Sequence, residues 1–452
     1  MRAYDLNSAL AADRDHLIHP LHHPSAHTAP KIWVSGKGSI LTDIEGNEYI
    51  DGLSGLWNVN IGHGRQELAD AAAKQISTLA YASGYVGSAT LPAIELAERL
   101  AKLAYPQINH FFFTSGGGES NESAFKTARF FWKSQGKPDK VKVISREFAY
   151  HGVTMAAMSA TGLQAYWPMF EPRVPGFLHI PSPYPYYFKG DGSVPDGVAA
   201  ANLLEEAILR EGPDTVGAFI AEPVQGAGGV IVPQDEYFPR IREICDQYDV
   251  LFLADEVITG FGRTGSWFAL DRWGVEPDIM AFAKGVTSGY LPLGGIGVSD
   301  RIHDAIMSAD PSRRWMHAYT YSGHPTTCAV ALANLDFFER EDLVTRAAEN
   351  GAYFLRQLKT LESHPHVGEV RGLGMLAAVE IVEDKAERKT FDRSRKIGES
   401  IQAAAMEGGL LSRARDDVYC LAPPLTTERS ELDRIVETLG DSIRTVLGDG
   451  AA

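Results

Sequence analysis

A lysine that directly follows an apolar run is the first residue of this sequence to suggest chemistry. Lys284 comes after Ile279-Met280-Ala281-Phe282-Ala283, a stretch with the length and composition of a buried strand. Lysine side chains mostly lie on protein surfaces, so a lysine at a buried strand end is unusual. Desolvation lowers the pKa of such an amine and makes it a nucleophile toward an aldehyde. The ordinary alternative is a lysine that extends its ammonium group from the strand end to water.

An aspartate follows a second apolar run in the same way. Asp255 comes directly after Val250-Leu251-Phe252-Leu253-Ala254. A carboxylate in such a position is costly to bury unless a cation, for example a protonated ring nitrogen, pairs with it. An aspartate that caps a helix or a turn is the alternative.

A glycine-rich segment follows a third run. After Phe111-Phe112-Phe113-Thr114 come Ser115-Gly116-Gly117-Gly118 and then a predicted helix. Glycines let the backbone approach a ligand closely, and a helix N-terminus presents free N–H groups, so the segment is suited to bind a phosphate. It lacks the patterns of the nucleotide P-loop and of the dinucleotide fingerprint. A plain glycine-rich turn is the alternative.

The elements that carry these residues alternate along the middle of the chain. Short apolar runs, which also include 141–145 and 216–221, are separated by helical patterns, and this order predicts a largely parallel sheet with helices on both faces. In such sheets ligands bind beyond the carboxyl ends of the strands, where all three features lie. We predict a large domain over 61–325, a smaller α+β domain over 326–452, and an N-terminal segment, 1–60, that packs with the smaller domain.

The composition excludes several classes of protein. Aspartate and glutamate number 58 against 42 lysines and arginines in 452 residues, a net charge of −16 that opposes binding to nucleic acid or to anionic membranes. The three cysteines show no CxxC spacing, and His63, His151 and His324 lack metal-ligand spacing, so we expect neither disulfides nor a metal site. No secretory signal or membrane span is visible, and we expect a soluble, cytoplasmic protein.

Several stretches resemble the class III aminotransferases, which have the aspartate-aminotransferase-like fold (fold type I of the pyridoxal-phosphate enzymes). The resemblance runs from about Gly52 to Pro424. It rests on Leu56-Trp57-Asn58, Tyr150-His151-Gly152, Ala221-Glu222-Pro223-Val224-Gln225-Gly226-Ala227-Gly228-Gly229, Asp255-Glu256-Val257-Ile258-Thr259-Gly260-Phe261-Gly262-Arg263-Thr264-Gly265, Ala283-Lys284-Gly285 and Tyr319-Thr320-Tyr321-Ser322-Gly323-His324-Pro325. It implies an α/β fold with a mostly parallel sheet in the large domain, and pyridoxal phosphate as the cofactor.

The resemblance also implies a role for individual residues. Lys284 matches the lysine that holds the cofactor through a Schiff base and moves the substrate proton, and Asp255 matches the partner of the pyridine nitrogen. Further cofactor-binding positions are Tyr150 and Val257 on the two faces of the ring, Gly117 and Gly118 in the phosphate cup, Glu222 near the ring, and Thr320, which reaches the phosphate of the neighbouring subunit. A homodimer with shared active sites, and a possible tetramer, follow from this. Relatives often have a serine at the position of Gly118, which leaves more of the phosphate binding to backbone N–H groups.

Within the family, the sequence resembles the ω-transaminase branch. Trp57 and Tyr85 match pocket walls, and Arg413 matches a mobile arginine that pairs with a substrate carboxylate, with Arg415 as the alternative. We expect a ping-pong transfer of an amino group from a primary amine or ω-amino acid to a keto acid such as pyruvate. The alternatives are an aminomutase or a decarboxylating transaminase within the family and, outside it, a nicotinamide-dependent oxidoreductase.

Overall fold

The computed structural model describes residues 5–21, 23, 30–85 and 87–449. Parts of the predicted N-terminal segment and the end of the predicted C-terminal domain therefore lie outside the described residues. The strands are β1 (Trp33–Lys37), β2 (Ile40–Asp43), β3 (Glu48–Asp51), β4 (Ile108–Thr114), β5 (Lys142–Arg146), β6 (Phe177–Ile180), β7 (Val216–Ala221), β8 (Leu251–Asp255), β9 (Ile279–Phe282), β10 (Gly294–Ser299), β11 (Val367–Leu373), β12 (Leu376–Ile381), β13 (Leu410–Leu411), β14 (Arg413–Arg415) and β15 (Val418–Leu421).

Helices separate many of these strands. They are α1 (Leu6–His16), α2 (Ser54–Trp57), α3 (Gln66–Thr78), α4 (Leu91–Leu103), α5 (Gly117–Ser134), α6 (Met155–Ala160), α7 (Asp196–Glu211), α8 (Tyr237–Gln247), α9 (Asp300–Met307), α10 (Pro325–Arg340), α11 (Leu343–Lys359), α12 (Ile397–Glu407) and α13 (Arg429–Leu447). Within the described ranges, no helix is both long and apolar enough to cross a lipid bilayer.

The central sheet has the strand order β4-β10-β9-β8-β7-β5-β6. The neighbours from β9 through β8, β7 and β5 to β6 pair in parallel, and β10 pairs antiparallel with both β9 and β4. The mostly parallel sheet that was predicted is therefore confirmed. The apolar runs identified in the sequence form β4, β5, β7, β8 and β9, whereas β6 and β10 were not predicted.

Strand β8 shows why helices cover both faces of this sheet. Its side chains alternate, because successive residues of a strand point to opposite faces. Leu251 and Leu253 pack on one face with Phe125 of α5. Phe252 packs on the other face in the same cluster as Phe238 of α8. Both faces are buried, so the space left for a ligand lies at the end of the sheet.

The N- and C-terminal parts of the chain pack against each other. Strands β1, β2 and β3 form a small antiparallel sheet, and β13 extends it by pairing in parallel with β3, with Leu410 opposite Ile50. The remaining C-terminal strands form an antiparallel sheet in the order β11-β12-β15-β14. This arrangement places the loop after β3 beside the loop after β15.

A buried arginine joins those two loops to the large sheet. Arg263 has no exposed surface. Its guanidinium donates to the carbonyl oxygens of Ala422 and Pro423, and also to the Ser54 hydroxyl and the Asn60 side-chain oxygen. Burial lowers the pKa of Arg263 to about 9, against the opposing effect of a nearby aspartate. These bonds hold three distant chain segments together at one edge of the site described next.

Candidate active site

A cavity of about 410 Å³ opens at the carboxyl ends of β4, β8 and β9. The predicted site residues that line it are Gly117, Gly118, Tyr150, Glu222, Asp255, Val257 and Lys284. The structure thus brings together every predicted cofactor-binding residue except Thr320. Gly117 and Lys284, 167 positions apart in the chain, meet here because each of these residues lies at or just beyond the carboxyl end of a strand of the central sheet. Ligand sites of such sheets lie at this end.

Lys284 enters the cavity from a strained turn. It follows β9 after a single residue and begins a short 3₁₀ turn with a φ of 48°, a left-handed conformation that costs a residue with a side chain about 1 kcal/mol or more. Burial lowers the pKa of the Lys284 amine to about 8; Asp255 and Glu222 act in the opposite direction, and Arg413 lowers the pKa further. The neutral form, which a nucleophilic amine requires, is therefore more populated near pH 7 than in an exposed lysine.

Asp255 is the last residue of β8 and is fixed at both carboxylate oxygens. The His151 ring donates from Nδ1 to Oδ2 over 2.7 Å, and the Asn121 amide donates to the same oxygen over 2.8 Å. The backbone N–H of Val257 donates to Oδ1 over 3.1 Å. The side chain is only 3% exposed and borders the cavity. A carboxylate held in this way is well suited to pair with a cationic ring nitrogen in the cavity.

The sequence does not identify Asn121, and for His151 it argues only against metal binding. Both line the cavity and both bind Asp255. Asn121 lies one turn into α5, which places it directly behind the glycine segment. Its place one turn after the glycine segment could have identified it, because a polar side chain on the buried side of a helix needs a hydrogen-bond partner.

The glycine segment begins α5 at Gly117, so the first N–H groups of the helix are free to bind an anion. A Cβ atom at Gly117 would lie 2.8 Å from a Val257 methyl carbon, which explains why this position is a glycine. Gly152 is required for a similar reason, because its Cβ would lie 2.8 Å from the Cα of Gly118. At Gly118 itself the nearest atom to an added Cβ is 3.8 Å away.

Glu222 lines the cavity and is 3% exposed. Its two carboxylate oxygens accept the backbone N–H groups of Tyr150 (3.0 Å) and Gly226 (2.9 Å). Burial raises the pKa of Glu222, and His151 and Arg146 act against this rise. The carboxylate is thus held in place without a direct cationic partner among the described residues. It therefore remains free to pair with a cationic group that enters the cavity.

Arg146 is a buried cation next to this glutamate that the sequence did not single out. It is fully buried at the end of β5 and donates to the backbone carbonyl of Glu222. Its Nε and Nη1 atoms have no hydrogen-bond partner among the described residues, and the rings of Tyr237 and Phe238 lie within 6 Å of the guanidinium. Through its hydrogen bond to that carbonyl, Arg146 fixes the position of the Glu222 backbone.

The two candidate arginines lie in different surroundings on β14. Both border a second cavity of about 690 Å³, but only Arg413 affects the pKa values of both Lys284 and Tyr150. Arg415 stacks over the Phe148 ring at 4.7 Å and lies 3.5 Å from the Asp416 carboxylate. Arg413 is therefore the arginine that is electrostatically coupled to the lysine.

Besides Arg413, three other predicted residues lie outside the first cavity. Trp57 is 2% exposed and packs in a cluster that also contains Ile258, a cavity-lining residue. Tyr85 is 49% exposed and borders an aromatic groove that extends to Tyr319. The backbone oxygen of Thr320, next to Tyr319 in the chain, accepts a hydrogen bond from a tyrosine hydroxyl. Tyr85 and Thr320 thus belong to neighbouring segments on one surface of the chain.

Among the described residues, no cluster of acidic, histidine and cysteine side chains is suited to hold a metal ion.

Comparison with known proteins decides the family. A family model described as aminotransferase class-III matches residues 23–443. The chain belongs to the class-III aminotransferases. It is therefore a pyridoxal-phosphate-dependent aminotransferase of fold type I, as the sequence resemblance implied. A strand-end lysine, a strand-end aspartate and a glycine-rich helix start in one cavity suit the aldehyde, the ring nitrogen and the phosphate of that cofactor.

Individual relatives of this aminotransferase cover nearly its whole length. The putrescine-pyruvate aminotransferase of Pseudomonas aeruginosa is 42% identical over 94% of this chain and 93% of its own. An (S)-enantioselective ω-transaminase from Thermomicrobium roseum is 49% identical, with a TM-score of 0.95 over 99% of this chain and all of its own. An amine transaminase from an uncultivated Pseudomonas species, solved in the pyridoxal-phosphate-bound form, is 40% identical, with a TM-score of 0.92 over 95% of this chain and 99% of its own.

Proposed function

We propose that this class-III aminotransferase transfers an amino group from a primary amine or ω-amino acid to a keto acid such as pyruvate, in two alternating half-reactions. One arrangement supports this most directly: a single cavity joins Lys284, Asp255 and the glycine segment, with Arg413 coupled electrostatically to the lysine. The relatives support the substrate class, since one is named a putrescine-pyruvate aminotransferase and two are amine or ω-transaminases.

Pyridoxal phosphate, when bound, supplies an aldehyde that receives the amino group and a ring that withdraws electrons from the reacting carbon. We assign the Lys284 amine to hold the aldehyde carbon and then to carry the proton at Nζ. Asp255 would keep the ring nitrogen protonated, because its carboxylate is buried and held by His151. The free N–H groups at the start of α5 would hold the phosphate.

The same pocket has to accept an apolar amine in one half-reaction and a carboxylate in the other. Arg413 offers a bidentate partner for the carboxylate, and no hydrogen bond or ion pair of its side chain is present among the described residues that would have to break first. Arg415 is already engaged with the Phe148 ring and Asp416. We therefore propose Arg413 as the carboxylate-binding arginine. Tyr150 and Val257 would contact the two faces of the ring.

We further propose that two copies of the chain form a homodimer with shared active sites. Thr320 and Tyr85 lie outside the cavity of their own chain, and exposed aromatic side chains surround them. On a second copy, they would reach the phosphate and the pocket wall. Trp57 would act from behind Ile258, by shaping the wall rather than by forming its surface.

The test is a panel of amine donors with pyruvate as the acceptor, followed by measuring the alanine formed. We expect alanine from wild type. From Lys284→Ala we expect retained cofactor binding with no turnover, because Lys284 is the one lysine among the described residues that line the cavity. Lys359→Ala, at an exposed lysine at the end of α11, is the matched control and should resemble wild type.

Ordinary turnover in Lys284→Ala would contradict the assignment of that lysine. Cofactor binding by wild type without alanine from any amine would contradict the proposed transfer, and would favour an aminomutase or a decarboxylating transaminase.

A further inference from the structure

Three serine and threonine residues line the active-site cavity, and two of their hydroxyls are already engaged. The Thr154 hydroxyl donates to the Glu122 carboxylate over 2.6 Å, and the Thr287 hydroxyl donates to the Leu291 carbonyl over 2.6 Å. Ser115 is the third of these residues. Within the part of the chain that the structure describes, no hydrogen bond is found for its hydroxyl. Ser115 therefore offers an unused side-chain donor directly beside the glycine segment.

The backbone of the segment is less free than its sequence suggests. The N–H group of Ser115 donates to the Glu119 carboxylate over 2.8 Å, so it is not available to a phosphate. That carboxylate also brings a negative charge to the first turn of α5. A bound phosphate dianion therefore depends on the next few N–H groups of the helix and on any hydroxyl within reach, since charge-assisted hydrogen bonds are the strong ones.

The structure leaves room for a hydroxyl at a second position, where this chain has none. A Cβ added at Gly118 would lie 3.8 Å from a Thr154 methyl carbon and 4.0 Å from the Gly152 Cα, both ordinary contacts. The backbone of Gly118 is also not in the left-handed region that favours glycine. At Gly117, by contrast, Val257 blocks any side chain. A serine at position 118 is thus compatible with the fold.

We propose that the Ser115 hydroxyl donates a hydrogen bond to the phosphate of the cofactor and so supplies the side-chain contact that Gly118 lacks. This rests on the assignment of the cavity as the cofactor site, and it makes Ser115 a cofactor-binding residue with no part in the chemical step. A hydroxyl introduced at position 118 should be able to replace it.

The experiment measures the rate at which the cofactor leaves the holoenzyme, by dilution into an excess of a scavenger for pyridoxal phosphate. The variants are Ser115→Ala, Gly118→Ser and the double variant. We expect Ser115→Ala to lose the cofactor about 10- to 100-fold faster, as for the loss of one hydrogen bond to a charged group, and the double variant to return toward wild type. Thr154→Val is the comparison, because its hydroxyl is already bound to Glu122 and should change the rate less.

Melting temperatures of the apoenzymes separate binding from folding. The Ser115→Ala apoenzyme should melt like the wild-type apoenzyme, and only the gain on adding cofactor should shrink. An unchanged release rate in Ser115→Ala, a double variant as fast as the single one, or an equal loss of stability without cofactor would each overturn the proposal. Retained cofactor binding without transamination in wild type would instead refute the proposed function and leave this inference intact.

Discussion

The pKa of Lys284 gives the most specific prediction, because the side chains that influence it are known. Burial lowers it from 10.5 to about 8, and Arg413 contributes in the same direction. At pH 7 roughly one lysine in ten would be neutral, against about one in 3000 for an exposed lysine. The neutral fraction of the amine at pH 7 should therefore be raised roughly 300-fold. We expect the apoenzyme to show this difference without any cofactor chemistry.

Replacing Arg413 tests the electrostatic part of this shift. Arg413→Ala removes a positive charge that disfavours the ammonium form, so the pKa of Lys284 should rise and its neutral fraction at pH 7 should fall. A charge acting through about 1 kcal/mol or less changes that fraction by up to about five-fold. Arg415→Ala is the matched control, because Arg415 lies against Asp416 and is not among the groups that influence Lys284.

The assay is competitive acylation of the apoenzyme across pH 6 to 11, with the labelling of Lys284 followed by peptide mass spectrometry. Only the neutral amine reacts, so wild-type labelling should reach half of its maximum near pH 8 and level off at about pH 9. The Arg413→Ala curve should lie at higher pH, and the Arg415→Ala curve should coincide with wild type. Labelling that keeps rising beyond pH 10 in wild type, or a displacement by Arg415→Ala as large as that by Arg413→Ala, would refute the reasoning.

Two further predictions concern the neighbours of the lysine. In His151→Ala, Asp255 loses the hydrogen bond from the imidazole but keeps the one from Asn121. We therefore expect kcat with saturating cofactor to fall about 10- to 100-fold while the protein stays folded. An unchanged kcat would argue against a positioning role for His151. If Thr320 acts in the neighbouring subunit, mixing Lys284→Ala with Thr320→Val should produce hybrid dimers with one intact site. In refolded mixtures, the intact site should then hold the cofactor as wild type does. If cofactor retention stays impaired at every site of the mixture, Thr320 binds the phosphate of its own chain.

The sequence predicted most of the central sheet because buried parallel strands appear as short, continuous apolar runs. Strand β10 escaped prediction, since Gly294, Gly295 and Gly297 break its apolar pattern. The structure explains these glycines by close packing: a Cβ at Gly295 would lie 2.6 Å from the Phe282 ring. Space between neighbouring strands is a property of the tertiary structure, and it leaves no periodic signal in the sequence.

The sequence likewise predicted part of the candidate site. Residues that directly follow strands, such as Lys284 and Asp255, could be identified because the end of a strand fixes their position. Residues that reach the site from inside another element could not: Asn121 points from within α5, and Arg146 lies behind the Glu222 backbone. Their partners are more than 70 positions away in the chain, so only the fold reveals the pairing.

The buried Arg263 has a consequence for the order in which the protein assembles during synthesis. All seven strands of the central sheet lie between residues 108 and 299, so the sheet that carries Lys284 can form while the ribosome is still translating the C-terminal part. The guanidinium of Arg263, however, can bind the Ala422 and Pro423 carbonyls only after residue 423 has emerged. Until then a buried cation lacks half of its partners, and the loop from Ser54 to Asn60 is held from one side only. We therefore expect the rim of the active site to close after the central sheet has formed, once residue 423 has left the ribosome.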